Sequence, residues 1–145
     1  MIPAFPVYLF DLDGTLLDGA ADICGAIWQV LEGHVDSPPE YEYLKGFVGS
    51  HLDAVFVDVR PHYSRGQIDG LIEAYRSVYP LRGHAATSVY PGVAEALQTL
   101  PGRKATATTK GTPTSREVLT QFGLVCYFDH VQGTDGFPAK PSPEV

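Results

Sequence analysis

Asp11 and Asp13 stand two residues apart at the end of the apolar run Val7-Tyr8-Leu9-Phe10. A carboxylate aimed at a ligand can act as a nucleophile, and a second one just beyond a turn can exchange protons with a leaving group. Gly14 permits a backbone turn that other residues resist, and the Thr15 hydroxyl can tie it. Far along the chain, Thr108 and Thr109 close the β-branched run that starts at Lys104, and Lys140 lies between Ala139 and Pro141. Taken singly, these features are ordinary: a polar turn, β-branched filler and a solvated cation. Their order along the chain is what links them.

That link depends on the elements that carry them. Val7–Phe10 has the pattern of a fully buried strand of a parallel sheet, and in open α/β sheets ligands bind at the C-terminal strand ends. Lys104–Thr109 and Phe128–Gly133 are expected as two further strands, separated by helices over 92–100 and 113–122. Strand, helix, strand, helix, strand is a parallel-sheet pattern, so all three chemical features fall on one sheet edge. Between the first strand and this repeat lies a block with helical spacing only. Ile23, Ile27, Val30 and Leu31 mark one helix, and Ser37-Pro38-Pro39 looks like the cap of a second reaching about Phe47. Ser50 can cap a third with Leu52, Val55, Phe56 and Val59 on one face, and the fourth runs from Gln67 to Tyr79 before Pro80.

The 145 residues suit one domain carrying an insertion. Ten Lys+Arg against seventeen Asp+Glu give a net charge of −7, which argues against nucleic acid or an anionic membrane as partner. Cys24 and Cys126 show no metal-ligand or disulfide spacing and are expected as reduced thiols. No apolar run approaches the roughly 18 residues of a membrane span, and no basic leader precedes the first strand, so the cytoplasm is the expected compartment.

The ordered set resembles the haloacid dehalogenase superfamily of phosphohydrolases. Asp11-Leu12-Asp13-Gly14-Thr15-Leu16 is similar to its first motif, Thr108 to the second and Lys140-Pro141 to the third. Tyr90-Pro91-Gly92-Val93 resembles the segment by which one subfamily returns from cap to core. The resemblance implies an α/β fold, a three-layer Rossmann-like parallel sheet core over 1–17 and 84–145, with an all-helical cap inserted over 18–83. It implies that Asp11 attacks phosphorus to form an aspartyl-phosphate and that Asp13 serves as acid and then base. Mg²⁺ would bind at Asp11 and Asp13, through the carboxylate of the first and the backbone carbonyl of the second. Thr108, the Thr109 backbone and Lys140 would hold the phosphoryl oxygens. Counter-charges are physically required: at about 4 Å, each like-charge pair of carboxylate and phosphate costs about 4 kcal/mol at an effective dielectric near 20.

Asp13 also separates reaction classes, because the dehalogenases of the superfamily lack that second Asp. The expected activity is a Mg²⁺-dependent phosphatase of small phosphorylated metabolites, phosphoglycolate-like monoesters foremost, in a monomer or homodimer. A sugar phosphomutase and a non-catalytic phosphate-binding scaffold are the alternatives. The family's fourth motif, an acidic pair on a further strand, has no counterpart after Lys140, so the C-terminal part of the core is expected to be missing. In the helical block, Lys45, His51, Arg60, His62 and Arg65 could meet a second anionic group of a substrate or simply face solvent.

Overall fold

The computed structural model describes residues 4–136, 138 and 140–144. In chain order the elements are strand β1 (Val7–Phe10), strand β2 (Leu17–Asp18), helix α1 (Ala20–Leu31), helix α2 (Tyr41–Lys45), helix α3 (Leu52–Val59) and helix α4 (Arg65–Val78). A 3-10 turn at Pro80–Arg82 precedes strand β3 (Ser88–Val89), helix α5 (Val93–Thr99), strand β4 (Arg103–Thr106), helix α6 (Thr112–Gln121) and a second 3-10 turn at Val125–Tyr127. The chain divides into two compact units, Met1–Asp18 with Ser88–Val145, and Gly19–Thr87.

In the first unit, β1 and β4 pair in parallel with Val7 opposite Arg103 and Phe10 opposite Thr106. Parallel neighbours need a long crossover, and here everything between Asp11 and Gly102 serves as one. The core of the unit is Leu12, Leu16, Leu17, Val93, Leu97, Val118, Leu119, Leu124 and Val131, so α5 and α6 each bury one stripe, as their spacing predicts. β2 and β3 lie outside the expected strands and pair antiparallel, Leu17 opposite Val89 and Asp18 opposite Ser88. This short ribbon holds the two ends of the intervening segment side by side.

Three strand expectations are corrected. β1 is not buried on both faces: Tyr8 and Phe10 are partly buried, but Val7 is 51% and Leu9 68% exposed. Among the described residues only β4 pairs with it, which leaves its other edge unpaired there, and the face that carries Val7 and Leu9 is exposed. β4 ends at Thr106 rather than Thr109, because its partner ends at Phe10: Ala107 N–H makes the last ladder bond to the Phe10 carbonyl (2.8 Å). Phe128–Gly133 is not a strand but one bridge, His130 against Ala105. There the Thr106 hydroxyl replaces the ladder, accepting from Gln132 N–H (2.7 Å) and donating to the Gln132 carbonyl (2.8 Å). A side chain that supplies both partners ends the backbone pairing.

The second unit is helical around Ile23, Ile27, Val30, Leu31, Leu44, Val55, Phe56, Ile68, Leu71 and Ile72, the positions at which the periodicity places an inward face. Its helix starts differ from the expected ones. α2 begins at Tyr41 after an extended Glu40 (ψ 150°), because Pro38 and Pro39 hold the preceding residues out of the helical region. His51 rather than Ser50 precedes α3. α4 starts at Arg65, two residues early, behind a capping box in which Ser64 and Gln67 satisfy each other's backbone N–H groups. Asp22 on α1 is 1% exposed and accepts from Ala86 N–H (2.9 Å), the Thr87 hydroxyl (2.8 Å) and Arg82 Nε (3.3 Å). No helix among the described residues is long and apolar enough to cross a membrane.

Candidate active site

The loop after β1 is built by alternation. Leu12 and Leu17 are fully buried and Leu16 nearly so, which anchors the loop in the core and turns Asp11 and Asp13 the other way. The backbone ties the turn: the Leu12 carbonyl accepts from Thr15, Leu16 and Leu17 N–H, and Gly14 N–H donates to the Leu17 carbonyl (2.8 Å). Thr15 itself is exposed, so the hydroxyl tie expected from sequence gives way to main-chain bonds. Gly14 has φ +80°, a left-handed conformation that a side chain would strain.

Each carboxylate has its own cation. Asp11 Oδ1 accepts from Leu12 N–H (2.8 Å), which fixes its plane, and Oδ2 lies 2.9 Å from Lys140 Nζ. Asp13 Oδ2 lies 3.1 Å from Lys110 Nζ. The two pairs differ in burial: Lys140 and Asp11 side chains are 33% and 26% exposed, Lys110 and Asp13 only 7% and 9%. The structure thus joins three of the expected residues, Asp11, Asp13 and Lys140, and adds Lys110. Lys110 directly follows the Thr108-Thr109 pair, and that position past a strand end was the available signal. A lone lysine in a Thr-rich stretch is easily passed over as a solvated charge.

Thr108 and Thr109 lie just beyond β4, and the register Phe10–Thr106 sets their segment beside the Asp11 loop. Thr108 is fully buried; its hydroxyl accepts from Lys110 N–H (3.2 Å) and its carbonyl accepts from the Thr134 hydroxyl (3.0 Å). The loop before α6 is clamped from the other side by residues 133–135. Thr134 N–H donates to the Lys110 carbonyl (3.0 Å), Gly133 N–H to Thr112 Oγ1 (2.8 Å), and Thr112 N–H to Asp135 Oδ1 (3.0 Å). Gly133 is required there: a Cβ would overlap the Lys110 carbonyl and lie 2.6 Å from Thr112 N.

A hard divalent cation takes oxygen ligands, and Mg²⁺ keeps several waters beside one or two carboxylates. The Asp11 carboxylate and the Asp13 carbonyl, which the backbone bonds of the turn leave out, are donors of that kind. Among the described residues no three His, Cys, Asp or Glu side chains converge.

Residues 8–145 match the model of the haloacid dehalogenase-like hydrolases. The chain belongs to this family. It is 34% identical over 148 residues to a phosphoglycolate phosphatase of Cereibacter sphaeroides, covering 95% of this chain and 67% of that protein. It is also 34% identical over 134 residues to the tyrosine-protein kinase PtkA of Mycobacterium tuberculosis, covering 88% of this chain and 45% of the kinase. A predicted phosphatase from Clostridium acetobutylicum superposes with a TM-score of 0.84 at 29% identity, covering 92% of this chain and 62% of that one. The chain therefore spans between under half and about two thirds of the length of these relatives. The α/β class expected from sequence holds, and its Rossmann-like character is that of these neighbours.

Proposed function

We propose that the protein is a Mg²⁺-dependent phosphatase of small phosphorylated metabolites, with phosphoglycolate-like monoesters as the favoured substrates. The observation that carries this reading is the pair of carboxylates at the end of β1, each held by its own lysine beside the loop after β4. Asp11 attacks phosphorus, forming an Asp11 O–P bond as the ester P–O bond breaks, and Asp13 gives its proton to the leaving oxygen. Water then attacks the aspartyl-phosphate, Asp13 takes the water proton, and phosphate departs as the Asp11 carboxylate is restored. Asp11 and Asp13 would hold the cation, which when bound neutralises charge on the phosphoryl oxygens. Lys140, Thr108 and the Thr109 backbone are assigned to those oxygens, with Lys140 shifting from Asp11 toward the anion. The helical unit is assigned the role of a cap and the α/β unit that of the catalytic core.

The test is phosphate release from 2-phosphoglycolate and a panel of other monoesters, with Mg²⁺ and with chelator. Release that requires Mg²⁺ supports the proposal. An isomerised product without free phosphate would make the protein a phosphomutase. Transfer from ATP to a tyrosine hydroxyl would align it with the kinase relative. Binding of phosphate without any turnover would leave a scaffold.

A further inference from the structure

Lys110 is given no chemical step in the proposal above, yet it forms the more buried of the two ion pairs at the site. Its ammonium is 3.1 Å from Asp13 Oδ2, and with both side chains under a tenth exposed, little water competes for either group. The lysine backbone is fixed on two sides, through its N–H to Thr108 Oγ1 and through its carbonyl to Thr134 N–H, with Gly133 packed against that carbonyl. The lysine stem has four rotatable bonds, but the side chain is only 7% exposed, so the packing around it as well as the backbone holds the ammonium in place. Asp13 sits on a turn with two rotatable side-chain bonds of its own, and the ammonium gives its carboxyl a fixed partner. An aspartate that must face a leaving oxygen in one step and a water in the next loses rate when its carboxyl rotates away, since a misplacement of about 1 Å can cost on the order of 10²-fold.

We infer that Lys110 is a positioning residue that holds the Asp13 carboxyl in its working orientation, acting through Asp13. This rests on the phosphatase reading given above. The test compares Lys110→Met, which keeps the stem and removes the charge, with Lys110→Arg, which keeps the charge. Each is assayed on a poorly leaving alkyl phosphate and on p-nitrophenyl phosphate. The value kcat/KM reports steps up to formation of the aspartyl-phosphate, so later hydrolysis common to both esters drops out.

The expected result for Lys110→Met is a fall of about 10- to 100-fold on the alkyl ester and under about 3-fold on the nitrophenyl ester, whose leaving group needs no proton. Inhibition by inorganic phosphate should be unchanged, and Lys110→Arg should recover most of the loss. Equal losses on both esters, no loss at all, or weakened phosphate inhibition would overturn the inference while leaving the phosphatase reading in place. A wild-type protein inert to both esters would overturn the reading and this inference with it. If Lys110→Met fails to fold, Lys110→Gln must show the same selective loss; failure of both to fold, with Lys110→Arg folded, would mark the pair as purely structural and overturn the positioning role.

Discussion

Replacing Asp22 by alanine would remove a side chain that joins the start of α1 to the segment 82–87. Its carboxylate accepts from Ala86 N–H, the Thr87 hydroxyl and Arg82 Nε, and is 1% exposed. Hydrogen bonds to a charged, buried acceptor contribute about 1.5–3 kcal/mol each, and the stranded donors carry their own desolvation cost. The two short bonds, 2.9 and 2.8 Å, dominate. Arg82 is 32% exposed, and its 3.3 Å contact adds little once water screens it. Asp22→Ala is therefore expected to cost about 3–6 kcal/mol, the sum of the two short bonds. Asp22→Asn keeps one oxygen for Ala86 and Thr87 but turns an amide donor toward the Arg82 donor, and should cost less, about 1–2 kcal/mol. The chain has one tryptophan, Trp28 on α1, so its fluorescence during urea unfolding reports on the helical unit in which Asp22 lies. A loss under about 1 kcal/mol for Asp22→Ala, or equal losses for alanine and asparagine, would refute the assignment of this stability to the two short bonds.

Asp11→Asn should abolish phosphate release, and full activity in that variant would refute covalent catalysis. Asp13→Asn should lower kcat/KM on alkyl phosphates by about 10²–10⁴-fold and far less on p-nitrophenyl phosphate; equal losses would remove Asp13 from the acid role. Gly133→Ala forces a Cβ into the Lys110 carbonyl and should lower thermal stability by about 1–3 kcal/mol, with an unchanged melting temperature counting against the clamp. Burial pushes the Cys24 thiol up, an effect that outweighs the lowering by Lys45. Its thiolate is therefore scarce near neutral pH, and a maleimide reagent should label exposed Cys126 first and Cys24 only on unfolding, as mass analysis of the labelled peptides would show. The sign for stability follows: above the ordinary thiol range the unfolded Cys24 ionises before the native one, so the wild type should lose stability relative to Cys24→Ala as pH rises.

Features set by local spacing were legible in the sequence. The apolar stripes of α1, α3 and α4 repeat at helical intervals, and the buried clusters use those same positions. The start of α4 is also written in the sequence, since Ser64 and Gln67 have the spacing of a capping box, although the apolar stripe begins only near Gln67. The strands were harder because their extent depends on partners. Nothing local in Lys104–Thr109 says that pairing stops at Thr106; the turn after Phe10 decides it. Nothing local in Phe128–Gly133 says that the Thr106 hydroxyl will take the Gln132 N–H. β1 is apolar throughout, and its sequence alone cannot tell that Val7 and Leu9 face outward here. In the candidate site, Asp11, Asp13 and Lys140 were reachable from motif order, whereas Lys110 matters because its ammonium reaches across to another loop, a fact with no sequence period behind it.

The site needs placement to within about half an ångström. Its loops fasten to the core and to one another. Leu12, Leu16 and Leu17 pin the carboxylate turn from below, so Asp11 and Asp13 move only if the core moves. The Gly133–Asp135 segment fastens the Lys110 loop to the start of α6, so Lys110 meets Asp13 from a second fixed direction. Lys140 is different in kind. It is a third exposed, in a loop with no comparable clamp among the described residues, and it rests on Asp11, the proposed nucleophile. On the proposed mechanism, a cation that pairs with Asp11 before the substrate arrives and transfers to an incoming anion would balance the charge in both states. The buried Lys110–Asp13 pair would not exchange partners, and the difference in exposure between the two lysines is consistent with that division of roles.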